Sequence, residues 1–488
     1  MKKLLSLLMT LMVLLGVFTI VACEKPTQDG DGTDGEQTVG STGSESQALE
    51  PTLDLLPEKN YNGYEFVINY RDLSNMVRDM SFDENSQDVL EVAKYQRALK
   101  VEETYKITLI PNVISGDWAG DMSLDSIVAG DADYDIIMPH SHRAWATYIA
   151  EGYALEWTEN MKYNHLEAAW WDQNARECLS IGGKIYTMLG DSSWMLLGSS
   201  VGILFNKDIF DEYSIAYPYD EVKNNTWTFD KFYQIASKTK SDINGDGVID
   251  LENDRYGYTT GIYMGPTGFL WTTGNAITAK DQNDIPYINL YNETTVDLFD
   301  KFFSMMDEDG FHIYDNRDSF NTEFHKEFAQ EKVVMIDTMI SNIEQLREME
   351  SFGLVPYPMF DESVGEYHST ADAGVHSPII PYNAPDVERT SIILEALTIE
   401  GYNQVLPAFY ETTLKIKYTD DDEDKDMLDV IRATRTFDFA YYTGATNKFT
   451  LPGTSIFSEK TSFSAYYDAN KDAAELALEE FLDYLQNN

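Results

Sequence analysis

A chain of 488 residues has room for two lobes, and its 43% hydrophobic content can fill substantial cores. Its formal net charge of −48, from 83 Asp and Glu against 35 Lys and Arg, argues against nucleic acid or anionic lipid as a partner of the folded body, because like charges repel. The same surplus of acid argues against choosing a catalytic carboxylate pair from sequence alone, since acidic neighbours occur throughout.

The chain opens on Lys2 and Lys3, runs apolar from residue 4 to residue 22, and then meets Cys23. A positive start, an apolar stretch and a small-residue exit predict a signal peptide over residues 1–22. The four residues 20–23 resemble a lipobox, which predicts a mature chain that begins at a lipid-modified (palmitate-bearing) Cys23 and a membrane contact through that lipid only. Ile20 and Val21 depart from the usual pattern. The competing reading is a transmembrane anchor, for which the run is long enough. Residues 24–51 are rich in Gly, Ser, Thr, Asp and Glu and hold no aromatic residue, so they cannot build a core. They form a tether with a reach on the order of 30 Å, and the linker is expected to run to residue 60. With 2 cysteines in the chain and one of them lipidated, no intrachain disulfide is expected, and Cys178 reads as a small buried apolar residue.

The folded part is expected from about Tyr61. Residues 65–70 read as a buried strand, residues 88–105 as a helix, and residues 107–110 as a second strand. Residues 134–138 form a third, stopped by Pro139, which cannot donate to a ladder. Polar residues just beyond such a strand end are where α/β folds meet ligands, which singles out His142 and Arg143. Residues 182–187 and 201–207 each read as strands, with Trp194 between them. Thr228 is the expected N-cap of a helix through Phe232, Ile235 and Ala236. Residues 333–337 and 353–358 are further strands, followed by a loop with Asp372 and His376. Helical periodicity returns at residues 391–398, 427–435 and 473–485. Strands alternating with helices define an α/β class.

The sharpest local motif is residues 242–250. Asp242, Asn244, Asp246 and Asp250 occupy positions one, three, five and nine of a calcium loop, Gly247 the sharp turn at six, and Val248 the carbonyl position at seven. Asn253 stands at position twelve, where a bidentate Glu belongs, so Asp254 is the expected closing ligand of a structural calcium site. The alternative is an acidic Asp-Gly turn.

Taken in order, the lipobox and tether, the strand at 134–139, the pair at 182–207, the helix start at 227–236 and the 242–250 loop resemble an extracellular solute-binding protein of the family 1 type. Such proteins are the lipoprotein components of bacterial ABC importers for sugars. The resemblance covers most of the chain after Tyr61. It implies a two-lobed, type II periplasmic-binding-protein-like fold with a hinge and an interlobe cleft, the first lobe from residues 61–157 and 365–417, the second from 158–364 and 418–488. It further implies a monomer on the outer face of the cell membrane that passes a carbohydrate to ABC permease subunits and catalyses nothing.

Sugar clefts need aromatic faces and planar polar groups. Trp271 stands where similar proteins stack a sugar, and Trp194 is a second choice, although core packing explains either one equally well. His142, Arg143, Asp337 and Asp372 are the expected hydroxyl ligands. His140 and His142 have no third metal ligand at sensible spacing. A lipoprotein glycoside hydrolase and a surface glycan-binding adhesin are the competing functions.

Overall fold

The computed structural model describes residues 49–71, 78–114, 120–315, 325–349, 351–416 and 422–487. The signal peptide, Cys23 and the tether up to residue 48 lie outside the described residues.

β1 (Tyr64–Arg71), β2 (Ile107–Ile114) and β3 (Ile136–Met138) form a parallel sheet in the order β2-β1-β3, with Tyr64 opposite Ile107 and Ile68 opposite Ile136. A central parallel strand is covered on both faces, which is why the last four residues of β1, Ile68 to Arg71, are all buried. Parallel neighbours need a crossover, and helix Val89–Tyr105 supplies it. The Asp88 side chain caps its first turn by accepting from the Glu91 amide at 3.0 Å, and Lys106 ends it in the left-handed region at φ 53°. β3 stops at Pro139, as expected. A returning segment lies antiparallel beside it, with Ile137 and Ile379 exchanging backbone hydrogen bonds of 2.9 and 2.7 Å.

The middle of the chain builds a second sheet. β4 (Val201–Asn206) and β5 (Tyr256–Gly261) come first, then a small antiparallel hairpin of β6 (Thr278–Lys280) and β7 (Pro286–Ile288), then β8 (Phe311–Tyr314), β9 (Val333–Met339) and β10 (Phe352–Val355). The sheet order is β10-β4-β9-β5-β8. β4 is antiparallel to both neighbours, and β5 is parallel to both of its own. A short parallel pair, β11 (Ser369–Thr370) and β12 (Arg435–Thr436), stands apart.

Each sheet has its own core. Phe66, Ile68, Leu109, Ile136 and Met138 of the first pack with Ile392, Ile393 and Leu397 of helix Val387–Glu400. That core also takes in Leu56, ahead of the expected start at Tyr61, and Trp170, Trp171 and Met188, beyond residue 157. The second core gathers Ile203, Phe205, Val333, Ile336 and Leu354 with the aromatic cluster Phe232, Tyr258 and Phe269.

Three local readings change. Residues 182–187 are not a strand: Ile181 bridges Lys184 across Gly182 and Gly183, which sit at φ 57° and 77°, the left-handed region that glycine tolerates and extended strands do not use. Thr228 precedes helix Phe229–Thr239 but makes no side-chain cap, because this stretch is held by a bridge to Met359. Arg435 falls in β12, after a helix that spans Asp422–Ala433. Among the described residues, no helix is long and apolar enough to cross a membrane.

Candidate ligand-binding site

The carboxyl ends of β1 and β3 meet the loop of residues 371–377 and the short helix Phe439–Thr443. That helix starts on Asp438, which caps the Tyr441 amide at 2.9 Å, and stops at Gly444, whose φ of 75° closes the turn. Its middle residue, Tyr441, draws together three of the residues expected from sequence. The His142 Nε2–H donates to the Tyr441 carbonyl at 2.6 Å. The Tyr441 hydroxyl donates to Asp372 Oδ2 at 3.1 Å. The Trp271 ring meets the Tyr441 ring edge-on, 6.0 Å between centroids.

The remaining geometry fixes these groups. Asp372 Oδ1 accepts from the Gly374 amide at 2.8 Å, and the Asp372 amide donates to the Ser199 carbonyl at 3.1 Å. A Cβ on Gly374 would lie 2.5 Å from that carboxylate, so only glycine allows the approach. Burial pushes the His142 pKa below the ordinary histidine value, against the opposing pull of the Tyr441 carbonyl and Asp372. The ring is therefore neutral at pH 7, with Nε2 protonated and Nδ1 a lone-pair acceptor. Partly buried Arg143 follows it, and its charge lowers the His142 pKa further.

Trp271 and Trp194 are 1% and 4% exposed, and the indole N–H of each is buried with no hydrogen-bond partner among the described residues. Trp194 packs on Phe409 at 4.9 Å, with the Arg78 guanidinium 6.0 Å from its ring. In this conformation both rings are enclosed by protein. Asp337 is fully buried on β9, where its Oδ2 accepts from Tyr258 at 3.0 Å, Thr260 at 2.8 Å and Tyr357. Burial pushes its pKa up to about 6 against those three donors. It is enclosed by those hydroxyls and does not face solvent.

Sequence reading missed Tyr441, Asp79 and His376 as a group. Asp79 Oδ2 accepts from Ser193 Oγ at 2.5 Å and from His376 Nδ1 at 2.8 Å. His140 bridges His376 through the backbone. The only local signal was the short capped stretch from Asp438 to Gly444, an aromatic pair between a helix start and a helix stop.

A separate cavity of about 550 Å³ is lined by Asn174, Cys178, Lys280, His368, Arg435 and Phe437 and contains none of the expected ligand residues. Burial pushes the Cys178 thiol well above its ordinary pKa, which keeps it protonated and a poor nucleophile.

In the acidic loop, Asp242 accepts from the Gly245 and Gly247 amides at 2.7 and 2.8 Å, Asn244 from Asp246 at 2.8 Å, and Asp246 from Val248 at 2.9 Å. Asp250 accepts from the Glu252 and Asn253 amides, both at 2.9 Å. Asp254 Oδ1 accepts from Ile243 at 2.8 Å and Asn244 at 3.3 Å, and Oδ2 from Asp250 at 3.0 Å. Asp254 thus clamps the two ends of the loop through backbone amides. No group of three or more His, Cys, Asp or Glu that could hold a metal ion occurs among the described residues. The donors have the right chemistry, because a carboxylate offers about four lone-pair positions and an amide uses one, but they do not converge around a cation as folded here.

No family model matches the chain, and no curated protein does. Solved structures match over most of its length. An ABC-transporter solute-binding protein from Thermotoga lettingae, bound with alpha-D-tagatose, superposes with a TM-score of 0.55 at 15% identity, over 85% of this chain and 100% of that one. A sugar transporter from Rhizobium etli in an open conformation gives 0.57 at 16%, over 86% and 99%. The GacH receptor of Streptomyces glaucescens, solved unliganded and with acarbose, gives 0.56 at 13%, over 85% and 99%. The chain therefore has the two-lobed α/β fold of the solute-binding proteins.

Proposed function

We propose that this chain captures a carbohydrate between its two lobes, without chemically altering it, and delivers it to an ABC permease. The observation that carries this reading is the convergence of Trp271, His142 and Asp372 on Tyr441, at the carboxyl ends of strands where α/β folds take ligands. Aromatic edges beside neutral and anionic acceptors suit a ring that carries hydroxyls. Support comes from neighbours of the same fold: ABC-transporter solute-binding proteins solved with tagatose and ribitol, and a maltose/maltodextrin-binding domain solved with maltotriose. Cys23 would hold the protein, as a monomer, on the outer face of the membrane through lipid.

Calorimetric titration with tagatose, ribitol, maltotriose and lacto-N-biose tests the reading. Binding of at least one, with no reducing ends released from the oligosaccharides, is the expected result. Release of reducing ends would make the protein a hydrolase, and failure to bind any of the four would remove the carbohydrate. Partition of the full-length protein into detergent, lost in Cys23→Ala, tests the anchor. We further propose that the 242–250 loop takes calcium structurally, through Asp242, Asn244, Asp246, Asp250 and the Val248 carbonyl, after a small rearrangement. Its oxygen spacing supports this.

A further inference from the structure

Beside the Tyr441 cluster, the loop of residues 371–377 carries a second group of buried polar atoms. The His376 and Asp79 side chains are both fully buried, 2.8 Å apart. The same Asp79 Oδ2 accepts from Ser193 Oγ, so it is the acceptor here and the His376 Nδ1–H the donor. In the neutral ring this leaves Nε2 as a lone-pair acceptor, and no described residue donates to it. Asp79 Oδ1 also lacks a donor. So do the hydroxyls of Ser377 and Ser141, the chain neighbours of His376 and His140, which bridge each other.

Each buried acceptor left without a donor costs about 1–3 kcal/mol, and native interiors seldom leave such groups unfilled. Here two acceptors, Asp79 Oδ1 and His376 Nε2, and two serine hydroxyls lie on or beside the His140–His376 bridge. Ser193 and His376 hold Asp79 from two sides, which fixes the tautomer. The charged groups facing the pair are Arg71, whose guanidinium donates to the Gly374 carbonyl, Arg97, which donates to the Ser192 carbonyl at 2.7 Å, and Lys94, which donates to the Arg78 carbonyl. Burial lowers the His376 pKa and the Arg71 charge lowers it further, against the pull of Asp79, while burial lowers the Arg97 and Lys94 pKa values against the same carboxylate. Tyr70 packs edge-on to the imidazole at 6.3 Å.

We propose that His376, held in one tautomer by Asp79, is a ligand-binding residue that accepts a hydrogen bond from a hydroxyl of the captured molecule. The bond selects neutral sugars and polyols. A carboxylate group has no proton to offer Nε2 at neutral pH. This inference rests on the carbohydrate reading above and names one of its contacts.

The test uses the full protein with ¹⁵N-labelled histidine and whichever of tagatose, ribitol, maltotriose and lacto-N-biose binds. The His376 signals are assigned by their loss in His376→Asn. The expected spectrum has Nδ1 protonated and Nε2 unprotonated, and Nε2 shifts upfield when the sugar saturates the protein. His376→Asn and Asp79→Asn each weaken binding by about tenfold or more. A Nε2 signal that stays still at saturation, or affinity kept within about twofold in His376→Asn, would overturn the proposal and leave the atom facing buried water. If His376→Asn fails to fold, assignment by Asp79→Asn and the wild-type spectrum decide. A sugar that binds without moving Nε2 defeats this inference alone; four sugars that all fail to bind defeat the carbohydrate reading beneath it.

Discussion

Tyr441 donates its hydroxyl to Asp372 from a position 69 residues later in the chain. The bond ties the short helix Phe439–Thr443 to the loop that follows β11. Because the same tyrosine receives His142 on its carbonyl, one residue positions two side chains from distant parts of the sequence. Its ring lies against Trp271, so the orientation of the aromatic edge and of the acceptors is set together.

Tyr441→Phe keeps the ring and the carbonyl but removes the hydroxyl. Asp372 then loses one donor, a hydrogen bond to a charged acceptor that contributes about 1.5–3 kcal/mol. Sugar affinity is expected to fall about tenfold or more, with the melting temperature nearly unchanged because the ring packing remains. Calorimetric titration and thermal melting measure the two effects separately. A large loss of stability with unchanged affinity would mean that the bond serves the fold and not the ligand.

Much of the first sheet was legible because β1, β2 and β3 are short apolar runs broken by Asp, Gly and Pro. β4 and β9 were legible for the same reason. β5, with the sequence Tyr-Gly-Tyr-Thr-Thr-Gly, was not: its threonines and glycines are buried by neighbours on both sides, and polarity hid a central strand. The aromatic content was legible as a supply of rings. Sequence could not separate Trp271, which touches the hub, from Trp194, which packs on Phe409. The His142 bond to Tyr441 spans 299 positions, and the His376 bond to Asp79 spans 297. Contacts of that separation leave no local pattern to read. Asp337 was expected as a hydroxyl ligand; its partners are protein hydroxyls because β9 places it inside the sheet.

The buried Asp337 makes stability depend on pH with an unusual sign. Its folded pKa is raised to about 6 from an ordinary value of 3.8, so between those limits the folded state binds more protons than the unfolded one. The contribution is fully present below about pH 4 and is lost as pH rises through about 6. Two pH units correspond to about 3 kcal/mol. Asp337→Asn keeps an oxygen for Tyr258, Thr260 and Tyr357 and removes the titration. The variant's melting temperature relative to wild type is expected to rise between pH 4 and pH 7. A difference that stays flat across that range would show that Asp337 does not titrate there.

Glu395 carries a different dependence. Fully buried on helix Val387–Glu400, it accepts from the indoles of Trp170 and Trp171 at 2.8 and 2.9 Å, from Asn164 at 3.2 Å, and from the His165 ring at 3.0 Å. Glu395→Ala leaves two buried indole N–H groups without an acceptor, an expected loss of about 2–6 kcal/mol at 1–3 for each. The hydrogen bond to Glu395 raises the His165 pKa. Stability from that pair is therefore complete below the unfolded histidine value near 6.5 and declines as pH rises through the folded value. Glu395→Gln should abolish that decline while it retains an acceptor for one or both indoles. Denaturant melts from pH 6 to pH 8 compare the two variants with wild type.

The acidic loop separates two roles for its last carboxylate. Backbone amides of Ile243, Asn244 and Asp250 hold the Asp254 pKa below the ordinary aspartate value, the Asp250 amide contributing most, which marks the ionised form as the one the fold uses. A carboxylate with a depressed pKa contributes stability above its unfolded value near 3.9, lost as pH falls through the folded one. Asp254→Ala is accordingly expected to lower the melting temperature at pH 7 in the presence of chelator, because the clamp works through hydrogen bonds and needs no cation. Calcium added to wild type is expected to raise the melting temperature through binding to the folded state alone, and Asp242→Ala to remove that rise. If chelator and calcium give the same melting curve for wild type while Asp254→Ala still melts early, the loop is an amide-capped turn and the calcium proposal falls.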